Sequence, residues 1–120
     1  MINDYKKLVV WNEAIILVKE VYVLTKKFPT SEIYGLTSQM RRSAVSIPSN
    51  IVEGKLRAGD KEFRQFLFIA FGSGGELETQ IEISKQLDET KNLDYSKVDE
   101  KLEAVMKMLN SLILKLDASR

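Results

Sequence analysis

Apolar residues recur at spacings of three and four residues through four long segments of this chain. That spacing places them on one face of an α-helix, and no segment shows the period of two that a half-buried strand needs. The spacing therefore predicts an all-α protein. The helices are expected over residues 11–27, 31–57, 61–90 and 96–116, approximately.

Short turns separate these predicted helices. Phe28-Pro29 ends the first, because proline disfavours the helical conformation in the residue before it. Thr30 or Ser31 then offers a cap for the second helix. Residues 58–60 and 91–95 form the other two turns. Helices joined by short turns pack as antiparallel neighbours, so the sequence predicts one domain over residues 1–120, an antiparallel up-down-up-down four-helix bundle.

The first helix is apolar on more than one face. Ile16, Leu17 and Leu24 lie off the main stripe, which runs through Trp11, Ala14, Ile15, Val18, Val21, Tyr22 and Thr25. A helix that is apolar on two faces usually buries both. In so small a protein, the second face predicts self-association into a closed ring.

The composition excludes several functions. The chain has no cysteine and no histidine, which removes thiolate chemistry and the commonest general base and metal ligand. Glu76, Glu78 and Glu82 cannot form the Glu-x-x-His di-metal site of ferritin-like bundles without histidine. No nucleophile–base pair is visible. We therefore expect no enzyme, no cofactor and no metal. We also expect no small-molecule substrate.

The sequence shows no signal peptide and no apolar run of about 18 residues that could span a membrane. A cytoplasmic location is the resulting expectation. The net charge of +1 favours no partner class, but the charge is uneven. Residues 1–57 carry nine Lys/Arg against five Asp/Glu, and residues 58–120 carry nine against twelve.

A polar string, QMRRSAVSIPSNIVEG over residues 39–54, interrupts the apolar second helix. One interpretation is a structural network in which this string packs against carboxylates of the third helix, Glu76 or Glu78. The other is a phosphate-binding surface headed by Arg41 and Arg42. The sequence leaves both open. The polar residues that share one helix face are Gln39, Arg42, Ser46, Asn50 and Glu53.

Two further features concern the third helix and its start. Gly72-Ser73-Gly74-Gly75 lies in mid-helix, where each glycine costs about 1 kcal/mol relative to alanine. This predicts close approach of another element or a local break. Basic residues cluster around the second turn, where they could contact a nucleic-acid backbone without reading its sequence. They are Lys55, Arg57, Lys61 and Arg64.

Residues 39–54 and the later stretch EFRQFLFIAFGSGGELETQIEIS closely resemble the small four-helix-bundle proteins encoded within intervening sequences of bacterial 23S ribosomal RNA genes. The resemblance extends from about Tyr5 to Leu116, with a departure at Gly74-Gly75, where larger residues are expected. Its most specific matches are Arg41-Arg42, Ser46-Ile47-Pro48, Asn50, Glu53-Gly54 and Gly72-Ser73 with Glu76-Leu77.

This resemblance implies a left-handed antiparallel bundle, often assembled as a ring of five. The accessory proteins of diversity-generating retroelements are similar. In those proteins a basic pentamer binds nucleic acid and a reverse transcriptase, whereas this chain is much less basic.

The residues and the resemblance together indicate a non-enzymatic homo-oligomer, expected to be a pentamer, that binds nucleic acid, expected to be RNA, through backbone contacts. The competing hypothesis is a protein–protein adaptor or scaffold without a nucleic-acid role. The candidate nucleic-acid-binding residues are Arg41, Arg42, Lys55, Arg57, Lys61 and Arg64.

Overall fold

Four α-helices make up most of the described chain. The computed structural model describes residues 4–57 and 59–118. The helices are α1 (Val9–Thr25), α2 (Leu36–Lys55), α3 (Asp60–Gln86) and α4 (Ser96–Ala118), with 3-10 turns at Asp4–Lys7 and Thr30–Glu32. No strand occurs within the described residues. The predicted all-α, four-helix architecture is confirmed.

The helices pack in cyclic order, each on the next, with α4 closing against α1. Contacts between helix ends show that neighbours run antiparallel. Arg41 near the start of α2 bonds Thr25 at the end of α1, at 2.9 Å. Lys85 near the end of α3 bonds Asp99 near the start of α4, at 2.8 Å. The left-handed twist stays a prediction.

The core runs along the axis of a molecule that measures 48 × 24 × 19 Å. Each helix contributes residues at helical spacing, so the bundle buries one face of every helix. Leu17 and Leu24, which the spacing placed off the main stripe of α1, belong to this core. Trp11, Ile15 and Val18 of the main stripe are only half-buried, and Val9, Tyr22 and Val23 of α1 are exposed.

The second helix begins at Leu36, five residues later than the sequence predicted. Thr30 and Ser31 lie in a 3-10 turn and cap nothing there. The Glu32 carboxylate instead accepts a hydrogen bond from the Leu36 amide, at 3.1 Å. It satisfies one of the amides that the first helical turn leaves unpaired. The third helix ends at Gln86 rather than near Thr90.

The glycines of α3 do not break the helix, which is continuous from residue 60 to residue 86. The Met106 side chain of α4 lies over Gly74, where an added Cβ would collide with its sulfur. Gly72 and Gly75 have no neighbouring atom within 4 Å of an added Cβ. The close approach expected here therefore exists at Gly74 only. None of the described helices is long and apolar enough to cross a membrane.

Candidate nucleic-acid interface

The turn between α2 and α3 is held by tight packing of the two helices. A Cβ on Gly54 would lie 2.6 Å from the Cβ of Phe66 and 3.1 Å from the ring of Phe63. Glycine at this position therefore lets the two backbones approach closely. Gly59 precedes α3 with a φ of 107°, a conformation that glycine adopts readily. These two glycines bring the end of α2 beside the start of α3.

This packing gathers four of the predicted cations around one turn. Lys55 ends α2, Arg57 lies in the turn that follows, and Lys61 and Arg64 lie in the first turns of α3. Three of the four lie over aromatic rings that stiffen their side chains. The Lys55 ammonium is 5.4 Å from the Phe63 ring centre, Arg57 is 5.0 Å from Phe66, and Arg64 is 4.8 Å from Phe68.

Carboxylates engage two of these four cations. Arg57 forms an ion pair with Glu53 at 2.7 Å, one helical turn earlier. Arg64 donates to the backbone oxygen of Ile113 at 3.3 Å and lies 3.6 Å from the Asp117 carboxylate. Lys55 and Lys61 are exposed and have no carboxylate partner among the described residues. Their ammonium groups are the ones free to bind an external anion.

Two more lysines reach the same end of the bundle. The 3-10 turn Asp4–Lys7 packs on α1 and α2. Its Tyr5 lines a groove together with Pro48, Ser49 and Val52, in the second half of α2. Lys6 and Lys7, which are both exposed, therefore lie toward the same end of the bundle as the α2–α3 turn. Sequence reasoning missed them because only the tertiary packing of the turn brings them there. We call Lys6, Lys7, Lys55, Arg57, Lys61 and Arg64 the cationic end.

The tandem Arg41-Arg42 is not part of the cationic end. Arg42 and Lys55 are 13 residues apart on α2, about 20 Å along the helix. Arg41 is half-buried against α1, since its Nε bonds Thr25 and its guanidinium lies 4.4 Å above the Tyr22 ring. Arg42 is exposed and has no ion-pair partner among the described residues. The six candidate residues thus form two separate groups.

The residues on the polar face of α2 likewise do not form one group. Ser46 shares a 2.8 Å hydrogen bond with Ser73 of α3, and Asn50 donates to the Ser46 hydroxyl at 2.9 Å. This small network ties α2 to α3 through hydroxyls rather than through Glu76. Of the other expected members, Glu53 pairs with Arg57, and Gln39, Arg42 and Glu76 are exposed.

Gln80 is a polar group of the bundle that sequence reasoning did not single out. Its Oε1 atom is buried without a hydrogen-bond partner in the described structure. It lies two helical turns after Ser73, and a buried acceptor without a partner is costly. Gln80 therefore does not belong to the hydroxyl network of Ser46, Asn50 and Ser73.

The opposite end of the bundle carries a cluster of ion pairs that joins α3 to α4. There Lys85 bridges Asp99 at 2.8 Å and Glu82 at 3.4 Å, and its pKa is raised, chiefly because it donates a hydrogen bond to Asp99. Within the described part of the chain, no three Asp or Glu side chains gather closely enough to hold a metal ion.

These features define a small all-α bundle of four antiparallel helices with two exposed, unpaired lysines beside the turn between α2 and α3. Comparison with known protein families identifies the family of this chain. A family model described as 23S rRNA-intervening sequence protein matches residues 6–111. The chain therefore belongs to the 23S rRNA-intervening sequence protein family, as its resemblance to that family predicted. No curated protein matches the chain at a significant level.

Proposed function

We propose that this chain is a non-enzymatic, cytoplasmic, self-associating helical bundle that binds RNA through phosphate contacts at its cationic end. The observation that carries the RNA-binding proposal is the pair of unpaired ammonium groups, Lys55 and Lys61, on either side of one tight turn. Lysine and arginine bind phosphates by releasing counterions, which requires no base-specific contact.

The fixed arginines beside this pair support the same proposal. Arg57 and Arg64 lie over phenylalanine rings, so their positions are restricted before any ligand arrives. A cation that is already ordered loses less side-chain entropy on binding. Each also binds a protein carboxylate, so it contributes less to RNA affinity than a free lysine does.

Apolar surface on the outside of α1 and α2 supports self-association. A groove between these helices is lined mainly by half-buried apolar side chains, among them Trp11, Ile15 and Val18 of α1 with Val45 and Val52 of α2. Val45 is 40% exposed. Apolar surface of this kind marks interaction sites on small soluble proteins. The family resemblance implies five subunits. A ring would carry several copies of a weak phosphate site, and their simultaneous binding to one RNA would raise the overall affinity.

The RNA proposal is tested by fluorescence anisotropy with a labelled RNA over a series of salt concentrations. Lys55→Gln/Lys61→Gln should weaken binding at every salt concentration and lower the slope of log affinity against log salt by about two, one per lost phosphate contact. Lys19→Gln/Lys97→Gln, which neutralises two exposed lysines elsewhere, is the matched control and should leave the slope unchanged. Equal loss in both variants, or no RNA binding by the wild type at low salt, would refute the proposal.

Self-association is tested separately by light scattering at micromolar concentration. We expect an oligomer for the wild type and a smaller species for Val45→Lys, because the substitution puts a charge on the apolar groove. Val23→Lys is the control, since Val23 is 55% exposed but lies outside that groove. A monomeric wild type, or the same dissociation in both variants, would count against this part of the proposal.

A further inference from the structure

A groove lies between α3 and α4. Its volume is about 670 Å³. The floor is apolar and consists of Phe71, Ile81, Leu102 and Met106. Along α3 the lining extends from Phe71 to Lys85, a length of about 21 Å for a helix. The groove therefore has the length and the floor that suit a docked helix of about four turns.

Carboxylates line both sides of this floor. Glu78 and Glu82 lie on α3, and Asp99, Glu100 and Glu103 lie on α4. Only two lysines accompany them, Lys85 and Lys107, and both are already in ion pairs with carboxylates of the rim. The groove is thus apolar along its centre and negatively charged along both edges.

Two of the five carboxylates are unpaired. Glu78 and Glu100 are exposed, they lie on opposite sides of the groove, and neither is in a salt bridge within the described residues. The other three carboxylates are in ion pairs with the two lysines of the groove. The negative charges of Glu78 and Glu100 are therefore available to an external cation. RNA is disfavoured here, since its phosphates would meet like charges.

We propose that the α3–α4 groove is a docking site for a cationic amphipathic helix of a partner protein. Apolar side chains of that helix would cover Phe71 and Met106, and lysines or arginines on its flanks would lie against Glu78 and Glu100. This arrangement matches a helix with an apolar stripe bordered by basic residues on both sides. The proposal is independent of RNA binding at the cationic end.

The direct test uses a labelled synthetic peptide of about 18 leucine and lysine residues with the period of an amphipathic helix. The comparison peptide has the same composition in an order without helical period. We expect the patterned peptide to bind at least about tenfold more tightly, since only it can present an apolar stripe and two basic edges together. Equal affinity of the two peptides would overturn the proposal.

Substitutions locate the binding. Glu78→Gln/Glu100→Gln should weaken the patterned peptide about tenfold, as expected for two partly exposed charge contacts. Neither residue has a partner to lose, so thermal unfolding should match that of the wild type. Glu76→Gln/Glu89→Gln removes two exposed, unpaired carboxylates outside the groove and should leave the affinity unchanged. The same loss in both variants would show non-specific attraction and overturn the proposal.

Methionine methyl resonances give a second readout. Met106 lies in the groove floor, Met40 is fully buried in the core and Met108 lines a different depression. With isotope-labelled methionine methyl groups, the patterned peptide should shift the Met106 signal and leave those of Met40 and Met108 in place. A shift confined to Met108 would refute the assignment. So would a change in assembly mass in Glu78→Gln/Glu100→Gln, because the groove would then be an interface between copies of this chain.

Discussion

Gly54 is a position where we expect even the small substitution to alanine to destabilise the protein. It lies in the last part of α2, and two of the three nearest atoms that face it belong to or adjoin the α3 backbone. A Cβ here would lie 2.6 Å from the Phe66 Cβ and 3.2 Å from the Phe63 backbone oxygen. No side-chain rotation can move either atom, so Gly54→Ala requires the two helices to separate.

Two opposing terms set the size of the effect. Alanine is favoured over glycine inside a helix by about 1 kcal/mol. Forcing an extra methyl into a well-packed contact costs about 1–3 kcal/mol, and the rigid neighbours here place the cost near the upper end. We expect a net destabilisation of about 1–2 kcal/mol for Gly54→Ala.

Gly72→Ala is the matched control. Gly72 is also inside a helix, but no atom lies within 4 Å of its added Cβ. Only the propensity term applies, so this variant should be more stable than the wild type by about 1 kcal/mol. The two variants should then differ by about 2–3 kcal/mol, which is about 1 M in the urea midpoint.

The assay is urea unfolding followed by circular dichroism, at one fixed protein concentration because association contributes to stability. A Gly54→Ala midpoint equal to or above that of the wild type would refute the reasoning. It would mean that α2 and α3 separate at little cost and that the close approach does not hold the turn.

Three further outcomes are expected. Ser46→Ala should lower the free energy of unfolding by about 1 kcal/mol, and Ser46→Ala/Ser73→Ala should cost less than the sum of the single changes, because the two hydroxyls bond each other at 2.8 Å; additive urea midpoints would contradict this. Hydrogen bonds from the Ser96 hydroxyl and amide lower the pKa of Asp94 below its ordinary 3.8. Its stabilisation is therefore present above that value and lost as the pH falls through the folded-state pKa. Asp94→Asn should accordingly be less stable than the wild type at neutral pH, with a gap that closes in acid; urea midpoints whose difference does not change with pH would contradict this. At about 0.15 M salt, Lys55→Gln/Lys61→Gln should bind the patterned peptide like the wild type, and Glu78→Gln/Glu100→Gln should bind RNA like the wild type, by anisotropy.

Helical spacing sufficed to predict the four helices, because burial of one face dominates helix formation in a bundle. The start of α2 could not be predicted in this way. Thr30 and Ser31 have the side chains of a helix cap, but the helix begins only after Gly35 and its Leu36 amide is satisfied by Glu32. Capping by a side chain four residues earlier depends on the path of the chain through the 3-10 turn, which a residue pattern does not specify.

The residues of α3 that contact the polar face of α2 could not be predicted from the sequence either. Spacing showed that Ser46 and Asn50 share a face, but not which residues of α3 that face meets. The core positions of α3 orient the helix so that Ser73 lies toward α2. Glu76 comes three residues later, rotated by about 60° on a helix of 3.6 residues per turn, and so it points away from Ser46. A rotation of α3 by about this angle decides whether it presents a carboxylate or a hydroxyl group to the polar face of α2.

The net charge of the sequence is a poor guide to how charge is distributed on the surface of this protein. A value of +1 suggests a surface without electrostatic preference. The fold instead places free lysines at the α2–α3 turn and unpaired carboxylates along the α3–α4 groove. Lys61 and Glu78 are 17 residues apart on α3, about 25 Å along the axis. Charges at physiological salt are screened over about 8 Å, so these two surfaces do not cancel each other. A phosphate backbone at the turn and a cationic helix in the groove would each meet exposed groups of opposite charge, and each surface can be neutralised without changing the other.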